Sequence, residues 1–402
     1  MKIEANTVES GAAAGLAIER ARRLHIFVLI DALGWEIIKE RPFLNQELPF
    51  RKPLETVLGY SSGAIPTILT GRHPAQTGHW NLYYYDPKGS PFRWLRWFGF
   101  LPERLLDNRI SRKLIKELGR RVLGMGPLFE CGVKPALLPL FNFVEKQNIY
   151  SEGGIPNSVS IFDLLHTRGI AYRVYSYHQL SDSKIVERAC SDIQSSDAKF
   201  FFLYLSEMDH FLHSHRNELE SIADRLAWYD RQLRELFKIA LRADREMTFT
   251  VISDHGMTPV HSQYDLVGKI EALGFSMPKD YLSVYDSTMA RYWFFNDAAR
   301  NAILGELSRT SCGRVVDDSE LEQLGILFPD RRYGEVVFLL DPGWLLATSD
   351  FNGDGWHPVG MHGYHPSDSH SDAIFLSNQP PRQQMSTIAD IYPCLEEAAS
   401  PQ

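Results

Sequence analysis

Cysteine is scarce in this chain of 402 residues: Cys131, Cys190, Cys312 and Cys394 stand far apart, with no Cys-x-x-Cys pair. That scatter excludes a disulfide framework and a cysteine-rich zinc site, and reads as a reducing compartment. Long apolar runs are missing too. No segment approaches the roughly 20 apolar residues that a bilayer span requires, and the opening stretch MKIEANTVESGAAAGLAIERARR lacks the continuous apolar core of a secretory leader. The expectation is a soluble cytoplasmic protein. Positive charge is in deficit, 42 Lys and Arg against 50 Asp and Glu, so specific nucleic-acid binding is not expected. There is no internal repeat and no low-complexity tract.

What is present is 44% hydrophobic residues, enough for one large domain or two unequal ones. Three runs, HIFVLI (25–30), KFFFLYL (199–205) and TFTVIS (248–253), are apolar without alternation, as strands covered on both faces of a parallel sheet must be. Between them Leu219, Ile222, Leu226, Tyr229, Leu233 and Leu236 recur at helical spacing. Alternating strands and helices predict an α/β fold with a doubly wound, mostly parallel sheet flanked by helices.

Each run ends at a carboxylate. Asp31 closes the first, Asp209 follows the second within SEMDHFLHSH, and Asp254-His255-Gly256 follows the third. Open α/β sheets bind ligands at the carboxyl ends of their strands, and three carboxylates gathered there repel one another unless a cation lies between them. If 207–215 is helical, Asp209 and His213 share a face and converge on one ion. His362 stands between glycine-flanked turns in GMHGYHPSDSHSDAIFL, ahead of another expected strand at 373–376. In YSSGAIPTILTGRHPAQTGHW (60–80), the paired serines read either as helix caps or as a nucleophile.

In chain order, Asp31, Ser61 ten residues before Gly71, Asp209-x-x-x-His213, Asp254-His255-Gly256 and His362-Gly363-Tyr364 resemble the metal-site signature of the alkaline phosphatase superfamily, closest to its type I phosphodiesterase/nucleotide pyrophosphatase branch. The resemblance runs over residues 25–376. It implies a hydrolase of phosphoric esters with Ser61 as nucleophile and two Zn2+ ions, Mn2+ being the other candidate metal. Asp31, Asp254, His255 and Ser61 would hold one ion, and Asp209, His213 and His362 the other. Candidate substrate contacts are Ser62, Trp80 and Tyr84. The expected substrate is a small phosphate ester or nucleotide, with a phosphomonoesterase or phosphotransferase as the alternative and a non-catalytic binding protein as a third reading. No Arg lies near Ser61 before Arg72, which favours diesters.

The chain departs from that pattern at two places. Ala64 stands where the branch places an Asn three residues after the nucleophile, and His365 where relatives carry Asp. The sulfatase pattern is missing after Ser61. The expected organisation is a core of 20–262 and 359–395, with a cap inserted at 263–358 and a lid-like insertion at 80–150. In the cap, strands are expected at 290–295, 313–318 and 334–340, a helix from Asp297, and a capping box at Ser319-x-x-Glu322. DFNGDG (350–355) starts like a calcium loop but has Met361 at the twelfth position, so it reads as a turn. Between Arg93 and Arg121 lie nine cations (Arg93, Arg96, Arg104, Arg109, Arg112, Lys113, Lys116, Arg120, Arg121) and three acids (Glu103, Asp107, Glu117), preceded by interleaved aromatics. This stretch reads either as a lid or peripheral membrane contact, or as a solvated helix leaning on aromatic core.

Overall fold

A computed structural model describes residues 23–98, 102–121, 132–176, 180–244, 246–350 and 357–400. Most of the 350–355 turn lies outside them. The main sheet has six strands, in the order Phe50–Leu54, Ala373–Ser377, Thr248–Ile252, His25–Ile30, Phe200–Leu205, Tyr172–Tyr175. Only Ala373–Ser377 runs antiparallel to its neighbours.

The unbroken apolar runs have a direct cause. Ile26, Val28 and Ile30 join a core with Leu226, Tyr229, Leu233 and Leu236 of the long helix Leu219–Ala243. Their alternates Phe27 and Leu29 face the opposite way, onto Ile65, Ile68 and Leu69 of the helix Ser61–Thr70. Both faces are dry, so both alternating sets of positions are apolar from Ile26 to Ile30. The helical stripe begins one turn later than its spacing suggests, because Leu219 at the helix start is exposed and Ile222 is the first residue to enter the core.

A second sheet is antiparallel throughout, in the order Tyr281–Asp286, Met289–Phe294, Val336–Leu340, Gly313–Val316. The helix Asp297–Arg309 starts at Asn296, whose side chain accepts from the amide of Ala298 at 2.8 Å. The expected capping box at Ser319 is not the cap. The helix Asp318–Gln323 starts two residues earlier than that cap implies, and Asp317 accepts from the Glu320 amide at 2.9 Å, leaving Ser319 inside the first turn. The tight turn Ser287–Thr288 of this sheet reaches the loop ahead of Ala373–Ser377, where Thr288 Oγ1 donates to the Gly363 carbonyl at 2.8 Å.

Candidate active site

Asp31 follows the last residue of the strand His25–Ile30, and Asp254 lies two residues beyond Thr248–Ile252. The helix Glu207–His215 starts just after Phe200–Leu205 and puts Asp209 and His213 one turn apart on one face. The parallel register therefore brings all three carboxylates to the same edge. His362 arrives on a loop that turns at Gly363, whose φ of +92° and whose closeness to Tyr60 (a Cβ would sit 2.8 Å from the ring) leave no room for a side chain. Gly256 is similarly constrained, since a Cβ there would lie 2.1 Å from the His370 carbonyl oxygen.

His255 Nε2 lies 3.3 Å from Asp254 Oδ2, 3.6 Å from Asp31 Oδ1 and 3.0 Å from Ser61 Oγ. Asp209 presents one oxygen to His213 Nε2 and the other to His362 Nε2, each at 3.4 Å. The rings of His255 and His362 stack at 3.8 Å, so the two halves of the array touch. Two tight donor groups result: Asp31, Asp254 and His255, and Asp209, His255 and His362. His213 reaches Asp209 from outside the second group, and His255 belongs to both.

Two backbone carbonyls orient the imidazoles. His213 Nδ1 donates to the Gly360 carbonyl at 2.8 Å and His255 Nδ1 to that of Gly256 at 2.9 Å, so each Nε2 lone pair points inward. Inward lone pairs and carboxylates repel one another. Asp31 Oδ1, Asp209 Oδ1, Asp254 Oδ2 and His362 Nδ1 are all buried without a hydrogen-bond partner, a costly arrangement that a cation relieves. Burial, then Asp254 and Asp209, push Asp31 well above the usual carboxylate range, against the Tyr204 hydroxyl that donates to it. Burial and the neighbouring His255 push His362 well below its ordinary value. Burial works against charge on Asp209 as well, but His213, His362 and His255 outweigh it and hold that carboxyl low. Oxygen and nitrogen donors without a thiol suit zinc or manganese.

The model for type I phosphodiesterase/nucleotide pyrophosphatase matches residues 25–365, most of the chain. The chain belongs to that family. The protein is a hydrolase of phosphoric ester bonds, in a metal-dependent family, and its donor groups fit that dependence. Its structure is similar to human ectonucleotide pyrophosphatase/phosphodiesterase 5 (14% identity, TM-score 0.66) and the murine protein (16%, 0.65), each over 94% of this chain and 95% of the other. An inactive form of the murine protein in complex with AMP matches over the same shares (16%, 0.64). These likenesses show the alkaline phosphatase-like fold. No protein of curated function matches the chain in sequence.

The remaining candidates are placed unevenly. Neither serine caps the helix Ser61–Thr70: Tyr60 stands at the cap position without a side-chain bond, Ser61 Oγ meets His255, and Ser62 Oγ donates to the Trp80 carbonyl. Trp80 is buried, its indole donating to the Leu58 carbonyl. Tyr84 packs against Tyr333 beneath the Arg332 guanidinium. All three thus have structural partners. His365 Nε2 lies 3.0 Å from Glu320 of the helix Asp318–Gln323.

Sequence reasoning missed the residues that hold the ligands in place. Asp182 accepts the amides of Ser206 and Glu207 at 3.0 and 3.2 Å, capping the helix of Asp209 and His213, and Tyr229 donates to it. Tyr60 places its ring edge-on to His362 and donates its hydroxyl to Thr288 Oγ1 at 3.0 Å. Only for Tyr204 was a signal available, as a polar handle near the end of an otherwise apolar run.

Proposed function

We propose a phosphodiesterase or nucleotide pyrophosphatase in which Ser61 attacks phosphorus beside two divalent cations, zinc or manganese. Asp31, Asp254, His255 and Ser61 would hold one, and Asp209, His213 and His362 the other. The observation that carries the reading is Ser61 Oγ at 3.0 Å from His255 Nε2, the imidazole common to both donor groups. Bound there, the cations supply positive charge that favours the Ser61 alkoxide and offsets charge on the leaving oxygen.

The chain's own groups do the rest. Ser61 Oγ forms a bond to phosphorus as the opposite P–O bond breaks, so that one alcohol (or, from a pyrophosphate, one phosphate ester) departs and the phosphorus, still carrying its other ester group, stays on the serine. Water then takes it from the far side and restores the hydroxyl. The first-turn amides of Gly63 and Ala64 already bond to the Tyr60 carbonyl, so those of Ser61 and Ser62 are the ones that can face a non-bridging oxygen. That donor pair would stand in for the Asn replaced by Ala64. No Lys or Arg pairs with the donor carboxylates among the described residues, which favours a diester or pyrophosphate over the more highly charged monoester. In this reading residues 263–358 form a cap on the core of 20–262 and 359–395, residues 80–150 act as a lid, and the protein works in the cytoplasm.

A metal-reconstituted panel of an aryl phosphodiester, an aryl phosphomonoester and a dinucleotide pyrophosphate tests the reading. Ser61→Ala should lower diester turnover by about 10³-fold or more. Ser62→Ala, which loses the bond to the Trp80 carbonyl, should cost about 1 kcal/mol of stability and leave turnover within a few-fold. Mass spectrometry of quenched enzyme should place any phosphoryl adduct on Ser61. An adduct on Ser62, full activity in Ser61→Ala, or a monoester preference overturns the proposal.

A further inference from the structure

The helix Arg109–Arg121 is amphipathic, but its apolar stripe is only partly covered. Ile115 and Gly119 are buried beneath it, while Ile110 and Leu114, one turn apart, are 73% and 65% exposed. Arg109, Lys113 and Arg121 share that exposed side. Immediately before it, the short helix Glu103–Leu106 adds exposed Arg104 and Leu105, joined to the longer helix where Ser111 Oγ donates to the Leu105 carbonyl. Trp97, on the turn Arg93–Phe98, is 81% exposed.

A helix that is merely solvated has no reason to turn Ile and Leu outward. Arg104, Arg109 and Lys113 have no acidic partner among the described residues, and Glu117 is already engaged by Arg121 at 3.0 Å. The patch is therefore locally cationic on a chain whose net charge is −8. Phosphate backbones would satisfy the cations but strand the aliphatic side chains in water. An acyl boundary beneath anionic headgroups satisfies both, and an indole is at home at the same depth.

We propose that the face formed by Arg104, Leu105, Arg109, Ile110, Lys113 and Leu114 docks the protein on an anionic lipid surface, the aliphatic side chains entering the headgroup–acyl boundary and the cations holding lipid phosphates. The docking needs only the headgroup–acyl boundary, and no helix among the described residues is long and apolar enough to cross a membrane. It does not depend on Ser61 or its metals.

Co-sedimentation of the full chain with phosphatidylcholine vesicles, with and without phosphatidylserine, is the test. Binding should occur only with phosphatidylserine and weaken with added salt. The double variant Arg109→Glu/Lys113→Glu should weaken it by at least about tenfold. Ile110→Ser/Leu114→Ser should also weaken it at unchanged charge, while the far-UV circular dichroism spectrum and the urea-unfolding midpoint of both variants stay at the wild-type values, showing that each is folded. Equal binding to neutral vesicles, no binding to anionic ones, or full binding by Ile110→Ser/Leu114→Ser overturns the proposal. So does a dimer that these serines dissolve in a protein that ignores vesicles, which would make the face an interface between copies of the chain.

Discussion

The donor array and the clamp above it are built on opposite rules. In the array, buried carboxylate oxygens and an imidazole nitrogen are left without hydrogen-bond partners. In the clamp every group is paired: the Thr288 amide donates to the Tyr60 hydroxyl at 3.3 Å, that hydroxyl to Thr288 Oγ1, and Oγ1 to the Gly363 carbonyl. The two meet at His362, against whose ring Tyr60 packs. Instability is concentrated where a ligand can relieve it, and the surrounding bonds prevent the array from relaxing apart.

The largest effect expected from breaking this contrast is at Asp254. Asp254→Asn keeps an oxygen for the Ala32 amide but removes a charge facing Asp31. Metal analysis should show one site emptied and diester turnover lost. Stripped of metal, the variant should be more stable than the wild type by about 1 kcal/mol in urea unfolding, because Asp31 no longer faces a like charge across a dry gap. A loss of metal-free stability would mean that Asp254 serves the fold rather than a ligand.

A clamp substitution should behave in the opposite way. Thr288→Val keeps the shape but deprives Tyr60 of an acceptor and Gly363 of a donor, costing about 1–2 kcal/mol of stability. Metal content should be retained and turnover should fall about tenfold, the scale seen when support behind a ligand is loosened. Full metal loss would show that the ligands depend on the clamp outright.

This division also explains what the sequence can and cannot reveal. The strands 25–30, 200–205 and 248–252 are legible because burial on both faces makes them almost wholly apolar, and the carboxylates Asp31 and Asp254 because they break those runs. Asp209 and His213 are legible because one helical turn separates them. The supports have no such local mark. Tyr60 and Thr288 are 228 residues apart, and Asp182 caps a helix 24 residues downstream. The sharing of His255 is equally invisible, since it follows from stacking on His362, which only the folded loop provides. Ser319 is not the cap because a cap is decided by backbone entry angle rather than by residue type alone, and Leu219, though in register with the stripe, is exposed because it opens the first turn.

The smallest effect on activity concerns a buried imidazole that belongs to neither group. His79 Nδ1 is also without a partner, yet no carboxylate accompanies it, and burial alone lowers its pKa to about 4. An isolated orphan of this kind should weaken the fold in acid without binding metal. The unfolded chain takes up the proton near the ordinary imidazole value of 6.5 while the folded chain resists it until about 4, so the unfolded state binds more protons between those values and stability falls as pH drops through that window. From pH 7 to pH 5 this one group should cost about 2 kcal/mol. His79→Gln fills much of the same space without titrating, so its urea-unfolding free energy should fall less steeply over that interval while its metal content matches the wild type. If the slope is unchanged, the fold's acid sensitivity lies elsewhere, with His25, also buried and lowered to about 4, as the next group to replace. If metal content falls instead, the distinction between an orphan created by burial and one reserved for a ligand fails at this position.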